Sequence, residues 1–229
     1  MSTTNDLISI AKNEQTVYDA GKKAEYDAFW NAFQANGERT NYRQGFSGEG
    51  WTDTTFTPKY NIIVEGNAQN MFWGSVIVDM VTALKNNNVT IDTSGATDLS
   101  YAFSCNSLYL PEVSAVSATN IGNLFGYNRN LISIKKLILK NDGSQTFSNV
   151  FYNCTALVKI DIDGVIGNDI DFKSCPLDNA SFESVVSALS STVTGKTVSF
   201  NKKAKEAAFT ADEWATLTAT KPNWTFNLV

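Results

Sequence analysis

Phe151-Tyr-Asn-Cys154-Thr-Ala-Leu157, followed at once by Lys159-Ile-Asp-Ile-Asp163, decides how this chain is read. A phenylalanine opens a short polar turn, a leucine closes it, and a strand of alternating character follows. The same sentence recurs as Phe103-Ser-Cys-Asn-Ser-Leu108, Phe125-Gly-Tyr-Asn-Arg-Asn-Leu131 and Phe172-Lys-Ser-Cys-Pro-Leu177. The phenylalanines are 22, 26 and 21 residues apart (103 to 125, 125 to 151, 151 to 172). Self-similarity at a period in the twenties is the mark of a solenoid, in which no unit can bury its apolar face alone and neighbours must stack.

Working outward from Phe151, the residues ahead of each phenylalanine are also apolar: Leu99, Ile121, Phe147 and Ile170. After the leucine, Lys136-Leu-Ile-Leu-Lys140 and Lys159–Asp163 read as strands. In the latter, Ile160 and Ile162 face inward, and Lys159, Asp161 and Asp163 face out. Asn141-Asp-Gly-Ser144 accounts for the longest spacing and is expected to bulge. Cys105, Cys154 and Cys175 read as sitting at one place in the repeat. An odd count locked to a repeat is not a disulfide framework, and buried packing in the turn is the simpler reading.

The flanks read as caps. Glu14 to Phe33 has a helical stripe of Val17, Ala20, Ala24 and Ala28, packed either on the domain or against a second copy of the chain. Residues 36–67 interleave glycines with Tyr42, Phe46, Trp51, Phe56 and Tyr60. Such aromatics are anchors for irregular chain or a carbohydrate-stacking surface. Tyr60–Val64 reads as a strand. Ser75 is placed as the cap of a helix from Val76 to Lys85, with Ile77, Met80, Val81 and Leu84 on its buried face. Val89–Asp92 is read as the next strand. Beyond the repeats come a helix over 180–189, a strand over 195–200, a short helix over 204–209, a capping box at Thr210–Glu213 and a closing strand from Trp224.

The expected class is therefore α/β: a short solenoid with a stacked parallel sheet, an N-terminal helix and α/β caps at both ends. The divisions are an N-terminal helix over 1–35, an aromatic, glycine-rich region with the N-terminal cap over 36–97, coils over 98–178, and a C-terminal α/β cap over 179–229.

Phe-x-x-Cys-x-x-Leu followed by Ile-x-Ile, clearest from Phe151 to Ile162, resembles the BspA-type leucine-rich repeat. The likeness spans about Asp98 to Leu177, without the family's Ile-Pro strand ending. It implies a surface or adhesion role. Ala20-Gly-Lys-Lys-Ala-Glu-Tyr-Asp-Ala-Phe-Trp30, Gly50-Trp-Thr-Asp53 and Lys221-Pro-Asn-Trp224 resemble short leucine-rich-repeat proteins encoded in prophage regions of gut Firmicutes, near tail genes. That implies a tail-associated protein set free by lysis.

Composition narrows the function. The 229 residues are 43% hydrophobic and 18% charged, with a net charge of −5 and no run of basic residues longer than a doublet. Phosphate binding needs a clustered basic surface, so nucleic acid is not an expected partner. The start, Met1-Ser-Thr-Thr-Asn-Asp6, has neither the basic nor the apolar region of a secretory leader. No run of eighteen apolar residues occurs, so membrane insertion is not expected either. The chain contains no histidine, which removes Ser-His-Asp and Cys-His catalysis and histidine-bound metals. Neither GxxxxGK[ST] nor a GxGxxG after a strand occurs. Asp161-Ile-Asp163-Gly164 hints at a calcium loop, but its glycine is misplaced and its twelfth-position glutamate is missing. Asp161 with Asp163, and Glu49 with Asp53 around Trp51, are the carboxylate pairs a glycosidase would need. A solvated strand face is the simpler reading.

The expected function is a non-enzymatic binding or adhesion module without cofactors, presenting its outer face to a protein or glycan. The candidate contact residues are Lys136, Lys140, Lys159, Asp161, Asp163 and Trp51. A structural component of a phage tail and, more remotely, a glycan-active enzyme are the alternatives. If helix 14–33 is an oligomerisation element, light scattering gives a multimer for the full chain and a monomer for a chain starting near Gly37; monomers in both cases remove that role.

Overall fold

The computed structural model describes residues 8–9 and 61–229. The expectations for helix 14–33 and the aromatic loop 42–60 lie outside the described residues. Among the described residues nine strands and four helices follow in the order β1 (Ile8–Ser9), β2 (Ile62–Asn67), α1 (Met80–Asn86), β3 (Ile91–Asp98), β4 (Tyr109–Ser114), β5 (Ser133–Ile138), β6 (Lys159–Asp163), β7 (Ile170–Phe172), α2 (Asn179–Ala188), β8 (Lys196–Phe200), α3 (Lys202–Ala208), α4 (Ala211–Ala219) and β9 (Trp224–Leu228). They form three small three-stranded sheets, β1-β2-β3, β4-β5-β6 and β7-β8-β9. All pairings are parallel except β1 with β2. The fold is mixed α/β.

The turn phenylalanines form a continuous column. Ring centroids are 5.4 Å apart from Phe72 to Phe103, 6.2 Å to Phe125, 5.6 Å to Phe151, 4.5 Å to Phe172 and 5.9 Å to Phe200. All six side chains are fully buried. The column begins before the 98–178 span and ends after it, because Phe72 and Phe200 supply its first and last rungs. Leu131, Leu157 and Leu177 are buried as expected, whereas Leu108 is only half-buried.

Backbone hydrogen bonds join the rungs. The Phe72 N–H donates to Ala102 O at 2.8 Å, Phe103 to Leu124 at 2.9 Å, and Phe125 to Val150 at 3.1 Å. Each acceptor is the residue just ahead of the next phenylalanine. Turn backbone that would otherwise be buried without partners is thereby satisfied. To aim these groups along the stack, the residue two places before each of the first four phenylalanines takes a left-handed conformation: Asn70, Tyr101, Asn123 and Asn149 have φ of 58°, 55°, 53° and 56°. Asparagine tolerates this region better than other residues with a Cβ.

Several expectations need correction. The first helix starts at Met80 and its cap is Asp79, whose carboxylate accepts from Thr82 N. Ser75 caps nothing; its hydroxyl is buried without a hydrogen-bond partner. Residues 76–78 are not helical, so Ile77 is buried from the preceding segment, while Val81 is exposed. Asn88, at φ 53°, ends the helix as a left-handed stop. The strand placed at Val89–Asp92 runs instead from Ile91 to Asp98. The strand placed at Lys136–Lys140 begins three residues earlier, at Ser133.

The C-terminal expectations hold. Asp178 caps α2, and Phe182, Val185, Val186 and Leu189 are all buried. The Thr210–Glu213 capping box is closed in both directions. Trp214 packs edge-on against Phe182, Phe200 and Phe226, so an aromatic cluster covers the last rung.

Phe151 has neighbours on both sides of its ring, and its loss leaves a cavity that neither can fill. Phe151→Ala is expected to destabilise the fold by about 3–5 kcal/mol in denaturant unfolding; a cost below about 1 kcal/mol would be incompatible with the column.

Candidate binding face

Two inward columns fix the orientation of β4–β6. Leu110, Ile134 and Ile160 lie side by side, as do Val113, Leu137 and Ile162. In β4 and β5 the inward residues are three apart, so two residues, Pro111 with Glu112 and Lys135 with Lys136, lie between them. In β6 they are two apart, leaving only Asp161. The register between β5 and β6 therefore shifts between Ile134 and Leu137. A bulge of this kind turns side chains that strict alternation would place elsewhere.

The consequence is a charge cluster. The Lys136 ammonium lies 3.7 Å from Asp161 and 3.6 Å from Asp163. Its Cα neighbour on β4 is Glu112. Asp161 also accepts a hydrogen bond from Ser184 Oγ at 3.2 Å. Lys136 is about a third exposed and both aspartates more than half, so each ion pair is worth no more than about 1 kcal/mol to stability. The side chains of Asp161 and Asp163 are 56% and 61% exposed. What the arrangement offers is fixed charge and hydrogen bonding.

Two clefts open on the same face. One, of about 710 Å3, lies between α1 and β3–β5, with Lys85, Asp92, Glu112 and Lys135 among its lining residues. The other, of about 500 Å3, lies between β5, β6 and α2, with Lys135, Lys159, Asp161 and Asp178. Lys135 borders both. Lys136, Lys159, Asp161 and Asp163 thus share one face. Lys140 does not join them: it lies beyond the end of β5, is half-buried, and its N–H donates to Gln145 Oε1 at 2.9 Å. Trp51 lies outside the described residues. Lys135 and Glu112 were missed, because they point outward only through the paired spacing of β4 and β5.

The far edge of β6 meets a helix. Ser181 Oγ accepts from Ile160 N at 3.0 Å, and Ser184 Oγ accepts from Ile162 N at 2.8 Å. Two serines three residues apart on α2 stand in for the carbonyls of a missing strand. A similar substitution joins β3 to β4: Thr93 Oγ1 accepts from Ser114 N and donates to Ser114 O, at 2.9 and 2.7 Å.

The cysteines belong to the turns. Cys154 and Cys175 lie three residues after their phenylalanines, and each thiol reaches back to the carbonyl of the previous one, Phe125 at 3.1 Å and Phe151 at 3.8 Å. Asn128 occupies that place in the second repeat and donates to Phe103 O at 3.2 Å. Cys105 is two residues after Phe103, so the three cysteines are not in one register. All three are free and buried. Burial pushes every thiol pKa up, that of Cys154 to about 12. Among the described residues no group of three or more Cys, Asp or Glu side chains could hold a metal ion, and no helix is long and apolar enough to cross a membrane.

No family model matches the chain, and no curated protein or solved structure matches it.

A raised thiol pKa means that the folded state holds its proton more tightly than the unfolded chain does. The contribution to stability is complete below the unfolded value of about 8.5 and declines as pH rises toward 12. Unfolding midpoints measured across that window should fall less steeply for Cys154→Ala than for the parent. Native thiols should resist Ellman's reagent at pH 8 and react fully on unfolding; rapid native reaction would contradict their burial.

Proposed function

We propose that this chain is a binding module, built as a short leucine-rich-repeat solenoid of the BspA kind. In this reading it presents the outward face of β4–β6 to a protein or glycan, in a phage-tail setting. The six-rung phenylalanine column and its hydrogen bonds from rung to rung support the repeat architecture. The regularity of those residues is explained by packing, so function is sought in what packing leaves free.

The observation that carries the reading is the β5 bulge. It brings Lys135 and Lys136 to the outer surface, sets Lys136 between two aspartates, and puts Lys135 where two clefts meet. Charges of both signs, held on strands rather than loops, make a rigid template for a partner with complementary polar groups. The net charge of −5 and the mixed signs of this face favour such a partner over a polyanion.

Whole-cell binding by the labelled full chain tests this. Lys135→Ala combined with Lys136→Ala should weaken retention at least tenfold while circular dichroism and the melting temperature stay close to the parent. Retention within twofold of the parent would remove the face from the binding function.

A further inference from the structure

The edge of the stack where the turns lie carries a second surface. Tyr127 and Tyr152 sit on neighbouring rungs, 56% and 44% exposed. Their ring centroids are 5.2 Å apart at 72°, so two ring surfaces meet at an angle. The backbone makes Tyr127 unusual. It lies two residues after Phe125 and has φ +66°; the corresponding residues after Phe72 and Phe151 are Gly74 at +73° and Asn153 at +62°. Those are the residue types this region favours, and a bulky side chain there is strained. Tyr101, also left-handed, is half-buried. The Tyr127 ring has little packing to offset the same strain. An outlier of this kind is a reason to look for function.

The groups around the two rings have a definite chemistry. Arg129 lies just beyond Tyr127. In the amide orientation that satisfies both groups, the Asn153 side-chain oxygen accepts from its Nε and Nη2 at 2.9 and 3.1 Å, which fixes the guanidinium. On the next rung, Lys173 and Asp171 pair at 2.6 Å and are about half-exposed. A small crevice there is bordered by Tyr152, Asp171 and Lys173. Tyr152 thus borders the carboxylate–ammonium pair, and the fixed guanidinium belongs to the residue two places after Tyr127.

We infer that this turn-edge ridge, Tyr127–Tyr152 with Arg129 and Asp171–Lys173, is a saccharide-binding site. The apolar face of a hexopyranose would lie on the rings, and its hydroxyls would bond to the flanking charged groups. The size argues for a sugar over a protein. Two half-exposed tyrosines offer roughly 200 Å2 of ring surface, far below the roughly 800 Å2 per side of a stable protein interface. The site lies on a different surface from the outward face of β4–β6 and does not depend on the function proposed for that face.

A printed array of neutral and acidic oligosaccharides, probed with the full chain, tests the inference. The parent should be retained on at least one hexose-containing oligosaccharide. Tyr152→Ala and Tyr127→Asn should each weaken that retention at least tenfold, while Lys203→Ala, an exposed change on α3, leaves it within twofold. Tyr127→Asn also guards against misfolding: asparagine suits the left-handed backbone, so its melting temperature should be no lower than the parent's. A merely structural tyrosine cannot give preserved stability with lost binding. The inference is overturned if no saccharide retains the chain, or if retention survives both tyrosine substitutions. Tyrosine-dependent capture on cells that is lost after protease but not after periodate would make the ridge a protein site and overturn it equally.

Discussion

Along the first three steps of the column a phenylalanine ring is covered by the next rung, and that rung's backbone carbonyl accepts from the phenylalanine's own N–H. The two requirements act at one residue. Ring stacking sets the distance between rungs, and the hydrogen bond sets their register. Each bond needs a chain direction that ordinary residues resist, so a left-handed residue recurs two places before the ring, three times as asparagine. Side-chain packing, backbone pairing and local conformation support one another here, which is the consistency expected of a sequence that specifies a single structure.

Such a stack must stop somewhere, and its sheets must not leave buried donors behind. Part of the answer is made of hydroxyls. Ser181 and Ser184 take the N–H groups of Ile160 and Ile162, and Thr93 bridges to Ser114. A hydroxyl both donates and accepts, so it can stand in for strand backbone without a strand's length. Beyond α2, Lys221 donates to the carbonyls of Ser187 and Leu189. Asn223 does the same for Ser190 and Val193. The end of the helix is therefore satisfied by side chains from the closing segment. Sheet edges covered in this way are poor templates for unwanted pairing.

The column was legible where a phenylalanine opened a polar turn and a leucine closed it. It was illegible at Phe72 and Phe200, which do the same physical work in other sequence surroundings: Phe72 follows Met71 in a glycine turn, and Phe200 ends a strand. The C-terminal helices were readable because the Thr210 box and the spacing of Phe182, Val185 and Val186 are local signals. The first helix was misplaced because Ser75 resembles a cap in sequence, while the tertiary position of Ile77 holds residues 76–78 out of the helix. On the candidate face, the alternation of β6 could be read directly. Lys135 and Glu112 could not, since a bulge is decided by the neighbouring strand. Tyr127 gave no signal at all; its interest lies in a φ angle.

The bulging loop at 141–144 is not free chain. Gly143 packs against Gly167 so closely that a Cβ on Gly167 would sit 2.1 Å from Gly143 O, and one on Gly164 would sit 2.4 Å from Leu139 O. The inserted loop is thus matched by Gly167 on the next rung, and Leu139 just ahead of it by Gly164. A side chain at position 167 could be accommodated only if the loop backbone at Gly143 moved with it, so a substitution there and the shape of the inserted loop are one variable rather than two.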